Sequence, residues 1–325
     1  MTNTGIAHTL ARPNILALHP YRCARDDYSS GVLLDANENS LGPAIDDEEL
    51  SENQIEMELN RYPCPYQVPL KTLYANYRGV SSPNKIFVGV GSDEAIDLLF
   101  RIFCTPGVDN VITTPPTYGM YKVCAAVNDV EIVNVPLTEK FELRIPEMLE
   151  AVTDNTKLMF ICSPGNPTAK AIPLDDIKKV ANSSYKGLIV VDEAYVDFSS
   201  LGSATELLDD YPNIIVLQTL SKAFGLAGIR LGFALGNEDV IQLMNNVKAP
   251  YNINSMTSEV ARNAINNIAS LDAKVKALLE QRSVVMEKLR QLDYVVKVHP
   301  SDANFVLFQV KDHAQKLYKT VSTLF

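Results

Sequence analysis

The sequence predicts an α/β protein: a mostly parallel, seven-stranded sheet flanked by helices, joined to a smaller α+β domain. Short apolar runs alternate with helical patterns from residue 66 to residue 235, the order that parallel strands and their crossover helices produce. Polar residues collect where those runs end, which is where an open α/β sheet carries its ligands. A length of 325 residues suits one large domain with a smaller one beside it.

Residues 1–45 show little periodicity, and Pro13, Pro20, Gly31, Gly42 and Pro43 interrupt them. An extended arm with one short strand at 32–34 is expected there. Residues 46–58 are acidic and read as a solvated connector, helical in part. A helix follows over 66–77, then a turn at 79–84 and a strand over 85–90. Gly91-Ser92-Asp93-Glu94 opens the next helix, 95–103, with acidic residues in the first turn where the helix dipole favours them. Further strands are expected at 110–113, 131–135, 157–162, 187–191, 214–217 and 231–235, and helices at 118–127, 146–152, 174–181 and 204–208. The strand at 231 follows its predecessor so closely that it can run antiparallel. Past Pro250 one long helical pattern covers 255–291, then strands at 294–298 and 304–310 and a helix from 314. The expected units are an arm contributing to the small domain (1–45), a large domain (46–255), a connecting helix (256–291) and a small C-terminal domain (292–325).

Composition narrows the function. A formal net charge of −10 argues against nucleic acid or an anionic membrane as a main partner. No apolar run approaches the roughly 18 residues of a membrane span. Met1 to Leu10 lack the basic start and apolar centre of a signal peptide, so a cytoplasmic address is expected. Five scattered cysteines without a C-x-x-C pair point to free thiols, and four histidines without ligand spacing argue against a metal site.

The chemistry centres on residues 218–230. An apolar strand, 214–217, leads into Thr219, Ser221 and Lys222, with Arg230 eight residues past the lysine. A lysine that forms a Schiff base needs a fixed, partly dry position. The hydroxyls of Thr219 and Ser221 with the Arg230 guanidinium suit a phosphate monoester beside it. Gly225, Ala227 and Gly228 are read as sites of close backbone approach. Pyridoxal phosphate answers that description, although a lone lysine after a strand is usually just solvated.

Three more strand ends add to it. Gly89-Val90-Gly91-Ser92-Asp93-Glu94 offers backbone N–H groups to a phosphate; Glu94 stands where a dinucleotide fingerprint needs its third glycine, which opposes that reading. In Ser163-Pro164-Gly165-Asn166-Pro167-Thr168 the prolines fix a turn that presents Asn166, whose bland alternative is an Asx-turn. Asp192 ends an uncharged strand and is expected to be buried, so it needs a partner: a nearby cation, or the protonated nitrogen of a bound pyridine. Tyr195 can donate to a ring oxygen, and Tyr118 can stack on a ring or simply pack in the core.

With these motifs the sequence resembles the fold-type-I, pyridoxal-phosphate-dependent aminotransferases, and among them the histidinol-phosphate branch. The resemblance runs from about Pro20 to the end. It rests on the stretches just described, on Pro115-Pro116-Thr117-Tyr118-Gly119-Met120-Tyr121, and on Leu34-Asp35-Ala36-Asn37-Glu38-Asn39, Asn60-Arg61-Tyr62-Pro63 and Pro20-Tyr21-Arg22-Cys23-Ala24-Arg25. It implies that Lys222 is the Schiff-base lysine and proton carrier and that Asp192 pairs with the pyridine nitrogen. Asn166 and Tyr195 would bond the ring oxygen, with Tyr118 stacked on the ring. Ser92, Asp93, Thr219, Ser221 and Arg230 would hold the phosphate. It further implies a homodimer in which Tyr62 reaches the other subunit's cofactor, with Tyr21 and Asn37 on the substrate side. The substrates would be L-histidinol phosphate and 2-oxoglutarate or glutamate, in histidine biosynthesis; a related amino-acid aminotransferase, or a cofactor-binding chain without turnover, are the alternatives. The resemblance also implies a later arginine that grips the substrate's acidic group. No match for it precedes Phe325, so the small domain is expected to be incomplete. Gly165 and Ala169 depart from the family pattern, an asparagine and a glycine being usual there.

Overall fold

The computed structural model describes residues 5–20, 36–39, 43–45, 51–52 and 56–324, with side chains to residue 321. The strand expected at 32–34, Tyr21 and Cys23 lie outside these residues. In chain order the elements are helices α1 (Ile6–Leu10), α2 (Pro13–Leu16) and α3 (Val68–Arg78), strand β1 (Ile86–Val90), α4 (Gly91–Phe103), β2 (Asn110–Thr113), α5 (Met120–Val127), β3 (Glu131–Asn134), α6 (Ile145–Glu150), β4 (Thr156–Cys162), α7 (Leu174–Ala181) and β5 (Leu188–Asp192). There follow β6 (Ile214–Thr219), β7 (Leu231–Leu235), α8 (Glu238–Val247), α9 (Ser255–Ile265), α10 (Ile268–Arg290), β8 (Val295–Val298), β9 (Phe308–Val310) and α11 (Ala314–Leu324).

The large sheet has seven strands in the order β1-β7-β6-β5-β4-β2-β3, and β7 alone runs against its neighbours. The remaining six point the same way, so the chain leaves β1, β2, β4, β5 and β6 at one edge. Strand alternation sends successive apolar side chains to opposite faces. Phe160, Val190 and Leu217 meet α4, α5 and α8 on one face, while Ile161, Val191 and Val216 meet α3, α6, α7 and α9 on the other. Both faces are dry, which is why these strands read as continuous apolar runs.

Four expectations about elements change. Residues 5–20 are two short helices rather than an extended arm: Ala7, Ala11 and Ile15 are buried against α4 and α8, and the Ala7 N–H donates to Asp239 at 3.0 Å. The helical pattern over 255–291 breaks into two helices at Asn266 and Asn267, because asparagine competes for backbone hydrogen bonds and favours helix ends. Helix α8 was not anticipated, although its start is marked by Asn237, whose side chain accepts from the Asp239 N–H at 3.2 Å, followed by acidic residues. The stretch expected as a helix at 204–208 is a short 3-10 turn, Ala204–Leu207.

Strands β8 and β9 form a separate antiparallel pair. The loop between them returns to the large sheet: the Asp302 N–H donates to the Ala169 carbonyl at 2.6 Å, and the Asp302 carboxylate accepts from the Ala171 N–H at 2.8 Å. Ala169 sits at φ 58°, a left-handed conformation that glycine adopts without cost, which accounts physically for the glycine usual at this place.

Candidate active site

A cavity of about 170 Å³ opens at the edge where these strands end. Lys222 and Thr219 reach it from the end of β6, Asp192 and Tyr195 from β5, Asn166 from the loop after β4, and Ser92 and Asp93 from the first turn of α4. Tyr118, Ser221 and Arg230 complete the group. These residues span 139 positions of sequence, from 92 to 230, and the parallel sheet alone brings them together.

At one end of the cavity two chain segments approach closely. Gly91 has φ 74°, its N–H donates to the Arg230 carbonyl at 3.0 Å, and a Cβ there would fall 2.7 Å from the Arg230 guanidinium. A Cβ on Gly232 would stand 2.2 Å from the Ser92 nitrogen. These two glycines let β7 press against the start of α4, whose first-turn N–H groups lack partners within the helix. The close approach expected at Gly225 and Gly228 is absent: no described atom lies within 4 Å of a Cβ built on either, and Gly225 serves instead for its φ of 68°. The Thr219 hydroxyl donates to the Leu231 carbonyl at 3.0 Å and lies 2.9 Å from the Ser221 hydroxyl. Arg230 is half-exposed and faces the Asp93 carboxylate at 3.4 Å. Glu94, which argued against a dinucleotide, turns away: its carboxylate accepts from the Val90 N–H and from the Asn252 amide at 3.1 Å.

At the other end lies Asp192, 3% exposed. Its carboxylate accepts from the Tyr121 hydroxyl at 2.7 Å and from the Ala194 N–H at 3.3 Å. Burial pushes it up to about 6; the two hydrogen bonds and Lys222 oppose that rise, and Asp93 adds to it. Tyr118 donates to Asp93 at 3.1 Å and sets its ring edge-on to Tyr121, with centroids 5.7 Å apart. Burial first, then Asp93, raises the Tyr118 phenol. The Lys222 ammonium stands 5.4 Å from the centre of the Tyr195 ring, which also meets the Phe305 ring edge-on with centroids 5.1 Å apart. Burial raises the Tyr195 phenol as well.

Tyr62 and Asn37 lie outside this cavity. Glu38 ties their loops together, accepting from the Tyr62 N–H at 2.7 Å and from Arg61 at 2.9 Å. The Tyr62 ring is half-exposed and stacks on Tyr251 with centroids 4.6 Å apart. Asn37 is exposed at φ 53°. Tyr21 falls outside the described residues. Sequence reasoning missed Tyr121 and Cys162; Tyr121 lies in the first turn of α5, three residues past Tyr118, and Cys162 ends β4 beside Asp192.

The residues present fit pyridoxal phosphate. The cavity has a lysine in its wall, an end where Gly91 and Gly232 let the Arg230 segment lie against the start of α4, and a buried carboxylate whose donors among the described residues are neutral. The model of the family described as aminotransferase class I and II matches residues 29–324. The chain belongs to that family. A histidinol-phosphate aminotransferase of Candida maltosa is 46% identical to it, the match covering 97% of this chain and 87% of the relative. Another, of Schizosaccharomyces pombe, is 45% identical over 95% of this chain and 82% of that one. Among solved structures, the histidinol-phosphate aminotransferase of Sinorhizobium meliloti in complex with pyridoxal-5'-phosphate superposes with a TM-score of 0.76 at 25% identity, covering 89% of this chain and 78% of that one. The fold is therefore that of the fold-type-I enzymes, as expected. The chain is a transaminase, and its cofactor is pyridoxal phosphate.

Proposed function

We propose that the chain moves the amino group of L-histidinol phosphate to 2-oxoglutarate, giving imidazole-acetol phosphate and L-glutamate, as a step of histidine biosynthesis in the cytoplasm. The observation that carries this reading is the convergence of Lys222, Asp192 and Arg230 on one cavity from three strand ends. The names of the curated relatives support the choice of substrate.

Pyridoxal phosphate, when bound, supplies a carbonyl that takes the amino group and a ring that draws electrons from the substrate's Cα. The protein does the rest. Lys222 Nζ anchors the cofactor and carries the proton to and from Cα. Asp192 holds a proton on the ring nitrogen by its negative charge. Asn166 and Tyr195 donate to the ring oxygen, and Tyr118 covers the ring. The α4 N-terminus at Ser92 and Asp93, the hydroxyls of Thr219 and Ser221, and Arg230 hold the phosphate. Tyr62, turned outward on Tyr251, serves the cofactor of a second copy in a homodimer, while Tyr21 and Asn37 serve the substrate.

Lys222→Ala tests this directly. Loss of a positioned proton carrier lowers rate by about 10²–10⁴, and loss of the anchoring amine lowers it further. Turnover at the wild-type rate with L-histidinol phosphate and 2-oxoglutarate would refute the assignment. A faster reaction with an aromatic amino acid would leave the cofactor site standing and overturn the substrate.

A further inference from the structure

The mechanism above uses Asp192 but leaves unexplained what keeps it charged. It stands at the end of β5, paired in register with Cys162 of β4, and among the described residues the cation that acts on it is Lys222, across the cavity. Among the described residues its side-chain donor is the Tyr121 hydroxyl, at 2.7 Å. Tyr121 is itself 1% exposed and is wedged between two rings, stacked on Phe160 with centroids 4.6 Å apart and edge-on to Tyr118. Its hydroxyl therefore has little freedom to leave the carboxylate.

We propose that Tyr121 is a positioning residue for the cofactor: its hydroxyl holds the Asp192 carboxylate anionic and fixed in direction, so that Asp192 can keep a proton on the pyridine nitrogen. This rests on the reading of the cavity as the cofactor site.

Among the described residues, the groups facing Asp192 come from several elements: Tyr121 from α5 and Tyr118 just before it, Cys162 from β4, Asp93 from the start of α4, Lys222 from the loop after β6, and Tyr195 and the Ala194 N–H from its own loop. Burial favours the neutral acid, and Asp93 adds to that; Tyr121, Ala194 and Lys222 favour the anion. The Cys162 thiol, itself pushed up to about 12 by burial and then by Asp192, stays neutral and adds no charge. Without the Tyr121 hydroxyl, Ala194 and Lys222 alone oppose burial, and the neutral form gains. A neutral Asp192 cannot stabilise a positive ring nitrogen; it would compete with it for the same proton.

Tyr121→Phe removes the hydroxyl and keeps both ring contacts. A hydrogen bond to a charged group is worth enough to move the Asp192 titration upward by about one to two pH units. In the chain without cofactor, the infrared carbonyl stretch of the protonated acid, assigned by its absence in Asp192→Asn, should appear at correspondingly higher pH in Tyr121→Phe. The affinity for pyridoxal phosphate should then begin to fall at higher pH than in the wild type as the solution is acidified. In an Asp192→Asn background the same substitution should change neither property. Unchanged titration and binding profiles in Tyr121→Phe would overturn the proposal, as would an equal loss of affinity with and without Asp192. Should Tyr121→Phe not fold, the coupling is read in the wild-type chain from the tyrosine C–O stretch, which must shift as Asp192 titrates; a stationary band overturns it. The infrared measurements need no cofactor, so a failed pairing is distinguished from a failed cofactor reading, which would show as no binding by the wild type.

Discussion

Asp192 and Glu193 are neighbours in the chain, equally buried at 3% exposure, and burial raises both carboxyls above their ordinary range. Strand alternation sends them to opposite faces of the sheet, and there their fates part. Glu193 meets Gln218, the Ser203 hydroxyl and the Ala204 N–H at 2.9, 2.6 and 2.6 Å, and Gln218 is held in turn by the Tyr74 hydroxyl at 2.7 Å. Asp192 has Tyr121 and a longer bond from Ala194, and it borders a cavity. A carboxylate has about four lone-pair sites to satisfy. Glu193 uses its capacity to staple β5, β6 and the turn at Ser203 together, whereas Asp192 keeps capacity for a ligand. Burial alone does not mark a functional acid; the unfilled side does.

Substitutions that treat the two acids alike should separate them. The largest contrast is in cofactor binding. Asp192→Asn should weaken pyridoxal phosphate affinity by about 10–100-fold, the loss of a charge-assisted hydrogen bond, while Glu193→Gln leaves it near the wild-type value; equilibrium titration of the two proteins decides. The second contrast is in the stability of the chain without cofactor, and its sign is opposite. Asp192 titrates near 6 when folded against an ordinary 3.8. Its contribution to folding is therefore most favourable below pH 4 and is lost as pH rises through 6. Asn does not titrate, so Asp192→Asn should be more stable than the wild type above pH 6 by up to about 3 kcal/mol, the gap closing toward pH 4. Denaturant unfolding across that range measures it, and a gap of constant size would contradict the burial argument. Glu193→Gln should instead lose about 1–3 kcal/mol, because an amide N–H2 faces donors that have nowhere else to turn. The smallest effect is expected from Tyr74→Phe, about 1 kcal/mol from a hydroxyl two bonds removed from Glu193, with cofactor affinity unchanged.

The same pair shows how far the sequence could be read. Val190-Val191-Asp192-Glu193 announces a strand running into two acids, and the apolar run before them made burial of Asp192 a fair expectation. Nothing local says which acid faces a ligand, since that depends on Tyr121 and Gln218, which lie 71 and 25 residues away from their partners. The lysine and asparagine of the cavity were legible because each follows a strand in a turn-rich loop, and the arginine because it leads into the antiparallel β7 at the same edge. Tyr121 was not: it closes the stretch 115–121 without a role of its own. The strands of the large sheet were clear because both faces are covered and the runs are continuous. The helices of residues 5–20 were not, because helices of four and five residues show too few turns to establish a period, and they are held by packing on α8 more than by propensity.

The measurement that bears most directly on the central claim is glutamate formation by the purified chain given pyridoxal phosphate, L-histidinol phosphate and 2-oxoglutarate, run beside Asp192→Asn and Glu193→Gln. The account expects glutamate from the wild type and from Glu193→Gln, and a marked loss in Asp192→Asn. Equal loss in the two variants, or glutamate from neither the wild type nor Glu193→Gln, would contradict the assignment of the Asp192 cavity as the site of transamination.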